Sequence, residues 1–113
     1  MFADIIRSAK TEQEIYFLVT SYIESVRYGD KLHCMSEHIT RLPLNGVADI
    51  RERFEHLMME LDAASKRLDD NSCTVIREGV HILGSALDRL GVIELQQSRP
   101  QARATAEFDA RAA

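Results

Sequence analysis

The stretch VADIRERFEHLMMELDAASKRL, residues 47–68, decides the fold. Its apolar residues are Val47, Ile50, Phe54, Leu57, Leu61, Ala64 and Leu68, at spacings of 3, 4, 3, 4, 3 and 4. That rhythm lays seven side chains on one stripe of an α-helix. A strand would need alternation, and the stretch has none. Asn45 stands ready to cap this helix, with Asp49 in its first turn and Lys66 and Arg67 in its last, as the helix dipole prefers. Asp49 with Arg53, and Asp62 with Lys66, are acid-before-base pairs four residues apart. They predict a solvated polar face.

Two further helices are legible outward from this one. Thr11 and Glu14 form a capping box, and Ile15, Val19, Tyr22 and Val26 follow at spacings of 4, 3 and 4. Gly29 is the predicted stop. On the later side, Asp69-Asp70-Asn71-Ser72 breaks the long helix and offers caps for the next. Cys73, Ile76, Val80, Leu83, Leu87 and Leu90 form its main seam, Val75, Gly79, Ile82 and Ala86 a lesser one, and Gly91 its predicted end. Between the first two helices, Leu32, Met35, Ile39 and Leu42 suggest a short helix over 31–41, ended by Pro43. Residues 1–10 are ambiguous: Phe2, Ile6 and Ala9 share a helical face, yet a chain end often stays disordered.

The sequence therefore predicts an all-α, small antiparallel helical bundle of three long helices plus one short helix. Residues 1–96 form a single domain. Residues 97–113 read as a mobile tail, because Ser, Pro, Gln, Ala and Arg replace the apolar pattern. That tail carries Arg99, Arg103 and Arg111 against Glu107 and Asp109, too little charge for a nucleic-acid arm.

The whole chain of 113 residues has a formal charge of −4, which argues against a phosphate-binding surface and predicts no nucleic-acid partner. No apolar run approaches the ~18 residues of a membrane span, so no membrane partner is expected. The opening residues do not form a signal peptide, since Asp4 and Arg7 break the apolar pieces. Cys34 and Cys73 read as reduced thiols in a cytosolic protein. No phosphate loop, nucleophile elbow or cofactor signature appears, so neither an enzyme nor a cofactor is expected.

Oligomerisation follows from surplus apolar surface. Phe17 and Tyr28 fall on the far side of the first long helix, and the last helix has two seams with few helices to cover both. The sequence predicts a homodimer with an interface drawn from Phe17, Tyr28, Val75, Gly79, Ile82 and Ala86. A further protein partner is compatible with a small regulatory or adaptor role.

Two other functional readings compete. His33, Cys34, Glu37 and His38 cluster within six residues and, on a helix, pair one turn apart as metal ligands can. The stretch His81-Ile-Leu-Gly-Ser-Ala-Leu-Asp-Arg-Leu-Gly91 resembles the histidine phosphotransfer domains of bacterial relays, which are acidic four-helix bundles of this size. The resemblance implies a phosphoryl-accepting His81. The chain departs from that motif at Gly84, where the family has Lys, and at Ser85, where it has Gly.

Overall fold

The computed structural model describes residues 2–29 and 35–112, with side chains up to Gln96. Among the described residues four helices pack together: α1 (Phe2–Arg7), α2 (Glu12–Tyr28), α3 (Val47–Lys66) and α4 (Asp70–Ala112). No strand occurs among the described residues.

The opening stretch is a helix because it has somewhere to bury its face. Ala3, Ile6 and Ala9 are buried, and the Phe2 ring meets Tyr22 edge-on at 6.0 Å. Arg89 of α4 fastens the end of this segment by donating from Nε to the Ala9 carbonyl at 2.6 Å. Thr11 caps α2, and the Glu14 carboxylate reaches back to the amide one residue before the cap. Glu14 N–H donates to Thr11 Oγ1, and the Glu14 carboxylate accepts from Lys10 N–H, each at 3.2 Å. Ile15, Val19, Tyr22, Ile23 and Val26 make the buried face of α2.

On α3 the stripe holds at its centre and fails at its end. Ile50, Leu57 and Ala64 are fully buried, whereas Phe54 and Leu61 are partly exposed. Leu61 is thus peripheral and not central, as the periodicity alone implied. Leu68 leaves the stripe altogether. It is 85% exposed and adopts φ 58°, the left-handed conformation that ends a helix. Leu68 N–H donates to Ser65 O and Asp69 N–H to Ala64 O, each close to 3 Å, which is the Schellman pattern with leucine in the usual glycine position. The start of α3 also differs from expectation. Gly46, not Asn45, is the N-cap, and Asp49 reaches back to accept from Asn45 N–H at 2.7 Å.

Asp69 caps α4 by accepting from Ser72 N–H and Ser72 Oγ. The helix does not stop at Gly91. Its seam continues through Ala86, Leu90 and the buried Ile93, and this packing offsets the roughly 1 kcal/mol that a mid-helix glycine costs. Beyond Ile93 the described side chains, Glu94, Leu95 and Gln96, are all exposed. The backbone runs on to Ala112, and α4 sets the 64 Å long dimension of the molecule. Side chains of 97–113 lie outside the described residues.

The short helix expected over 31–41 is not observed among its described residues, 35–41. Residues 31–34 lie outside the described residues, and 36–41 form successive turns with bonds from Ile39, Thr40 and Arg41 N–H to carbonyls three residues back. Met35, Ile39 and Thr40 are nonetheless buried. Arg53 holds the segment in place, and so is not part of a solvated face. It is 6% exposed and donates from Nη1 to Asp49 O at 3.0 Å and from Nη2 to Arg41 O at 2.9 Å.

Gly79 marks the centre of the bundle. A methyl group there would fall 2.8 Å from Tyr22 Oη and 3.2 Å from both Leu57 Cδ1 and Met35 Cε. Glycine lets α2, α3 and the 35–46 segment converge on α4. Burial pushes the Tyr22 phenol far above its usual pKa, with Glu78 adding to the effect, so it stays neutral in the core.

Candidate functional site

Three groups of residues were singled out by the sequence, and the fold treats them differently. The predicted interface divides. Gly79, Ile82 and Ala86 are buried and Val75 is half-buried within a single chain, since α1, α2 and α3 cover the lesser seam. The chain itself covers Gly79, Ile82 and Ala86 and leaves Val75 partly open. Phe17 and Tyr28 do remain in solvent, at 70% and 84% exposure. They share one outward stripe of α2 with Ser21 and Glu24, at spacings of 4, 3 and 4.

Ile5 of α1, 54% exposed, extends this apolar surface. It forms a ridge between two grooves. One, of about 380 Å³, is bounded by Ile5, Gln13, Glu14, Phe17 and Leu18. The other, of about 520 Å³, lies between α1 and α4 and is lined by Phe2, Ala3, Ile5, Glu78, His81 and Ile82. The first of these was not predicted, because the ambiguous residues 1–10 had no fixed place. Its one legible signal was Phe17 on the wrong side of its helix.

His81 is exposed on α4 at the rim of the second groove. Its surroundings are acidic through Glu78, one turn before it. Gly84 does not lie open beside it but faces the Phe54 ring, which a methyl group there would meet at 3.7 Å. A phosphoryl group at His81 thus meets a carboxylate in this groove in place of the balancing cation that the relay motif supplies.

His33 and Cys34 of the expected metal cluster lie outside the described residues. Glu37 is exposed, and its carbonyl accepts from Thr40 Oγ1. His38 turns to α3: its Nε2 is 2.9 Å from Glu52 Oε1, and its ring lies 5.2 Å from that of His56. His56 Nε2 is 3.9 Å from Glu60 Oε1, and the Glu60 carboxylate accepts from Ser36 N–H at 3.2 Å. Glu52, His56 and Glu60 share a stripe of α3 by their spacing of four. The turn segment touches that stripe through Ser36 and His38, while Glu52 remains exposed and His56 partly so. Among the described residues, no group of three or more His, Cys, Asp or Glu side chains is placed to hold a metal ion. What the arrangement does is fasten residues 36–41 to α3 through polar contacts. Cys73 is a buried free thiol close to the start of α4.

No helix is long and apolar enough to cross a membrane among the described residues. Comparison with known proteins adds no family: no family model, no curated protein and no solved structure matches the chain.

Proposed function

We propose that the protein is a non-catalytic, cytosolic interaction module, a small regulatory or adaptor protein that pairs with itself and presents helical surfaces to a protein partner. The observation that carries this reading is the exposed apolar surface of Ile5, Phe17 and Tyr28 on a bundle whose own core is already closed. Isolated exposed apolar residues are ordinary, but a ridge with grooves on both sides is a shape for another surface. The bundle is read as antiparallel in α3 and α4. Gly79 stands against Leu57 and Gly84 against Phe54, so α4 advances as α3 recedes.

Light scattering on a sizing column tests the self-pairing. At micromolar concentration the expected mass is twice 12.8 kDa. A mass of 12.8 kDa across the whole concentration range overturns it.

A further inference from the structure

Helix α2 carries both a knob and a groove, and one twofold axis maps each onto the other. The knob is Tyr28, whose ring stands in solvent at the C-terminal end. The groove is the 380 Å³ space bounded by Ile5, Gln13, Glu14, Phe17 and Leu18 near the N-terminal end. Phe17 and Tyr28 are about three turns and ~16 Å apart on the same stripe. When a second α2 runs antiparallel along this stripe, an axis between Ser21 and Glu24 sets Tyr28 of the second copy level with Phe17 of the first. The reverse contact then follows by symmetry.

We propose that two copies pair through this stripe, with Tyr28 of each seated in the groove formed by Ile5, Phe17 and Leu18 of the other. The proposal rests on the self-pairing above and names its surface. Two features support a second copy as the occupant. The antiparallel orientation sets the two α2 dipoles head to tail. The axis passes Ser21, a small residue whose hydroxyl already donates to Phe17 O at 2.9 Å, so the two backbones can approach closely. Glu24 of each copy lies level with Ser21 of the other.

The groove also suits a phenol. Its walls are apolar and its rim carries the Glu14 carboxylate, which accepts from Lys10 N–H and keeps further lone pairs for the tyrosine hydroxyl. The available area sets the strength. A helix of 17 residues is ~25 Å long, and α1 widens the face. The contact is on the order of 600 Å² per copy, at the small end of stable interfaces, so pairing depends on concentration.

Sedimentation equilibrium of the full chain tests this with Phe17→Lys, Tyr28→Asp and the double variant. Both positions are exposed, so thermal melting of the dilute protein is expected to stay as in wild type. Each single change is expected to raise the dimer Kd at least tenfold. The double variant is expected to recover at least tenfold over either single one, because the introduced ammonium meets the introduced carboxylate only across an antiparallel contact. A dimeric wild type whose Kd is unmoved by either change overturns the proposed surface and leaves self-pairing standing. Weakening by both changes without recovery overturns the antiparallel seating. A wild type that stays monomeric overturns self-pairing, and this surface with it.

Discussion

Two sides of α3 are covered in different ways. Toward α4 the cover is apolar and repeats with each turn: Ile50, Leu57 and Ala64 from one helix, Ile76, Leu83 and Ala86 from the other, all almost fully buried. Toward residues 35–46 the cover is a set of single fastenings. Arg53 holds the Arg41 carbonyl, Glu60 holds Ser36 N–H and Glu52 holds His38. The first kind of contact distributes stability over many side chains. The second concentrates it, so one substitution can release a segment while leaving the bundle intact.

The sharpest way to break this contrast is to empty the apolar side. Leu83→Ala is expected to cost ~2–5 kcal/mol, since a fully buried leucine leaves a cavity. Leu61→Ala is expected to cost clearly less, because that side chain is partly solvated. Chemical denaturation measures both. Equal losses would remove the distinction between centre and periphery on α3.

On the polar side, Arg53→Met keeps the aliphatic stem and removes both hydrogen bonds. The expected loss is about 1–3 kcal/mol. Its signature is local: hydrogen exchange quickens at the Ile39, Thr40 and Arg41 amides and not along α4. Uniform quickening would show that residues 35–46 unfold only with the bundle.

Smaller effects sharpen the picture at the margins. Leu68→Gly relieves a left-handed conformation that an L side chain disfavours and removes no burial. It is expected to stabilise by ~0.5–1 kcal/mol, read as a raised denaturation midpoint. Removing residues 98–113 is expected to shift Tm by less than about 2 °C, since the last described side chains, Glu94, Leu95 and Gln96, are already exposed. A larger drop would mean that this stretch packs on the bundle.

The same contrast explains what the sequence revealed. Periodic burial writes itself into spacing, so α2, α3 and α4 were legible, as was the Thr11 cap. Single fastenings leave no period. Arg53 looked like half of a surface ion pair, although its place three after Ile50 and four before Leu57 sets it on the buried face, where Arg51 does not fall. The 31–41 stretch has helical spacing, yet among its described residues Ser36 and His38 find their partners in carboxylates on α3, and the turns of 36–41 leave Met35 and Ile39 buried without a helix. Gly91 looked like a stop because helices often end on glycine, although Leu90 and Ile93 already continue the spacing from Ala86. Of the outward site, Phe17 and Tyr28 were legible as misfits. Ile5 was not, because its role depends on where α1 docks.

Asp69 belongs to two motifs at once. Its N–H closes the last ring of α3 on Ala64, and its carboxylate opens α4 on Ser72. The joint between these helices therefore has no spare length. One residue added or removed there must dismantle an ending and a beginning together. Residues 42–44, between the Arg41 fastening and the Asn45–Gly46 start of α3, carry no such double duty, and a chain of this design lengthens there first. An engineer seeking a place for a tag, or a reader comparing variants of different length, should look before α3 and not after it.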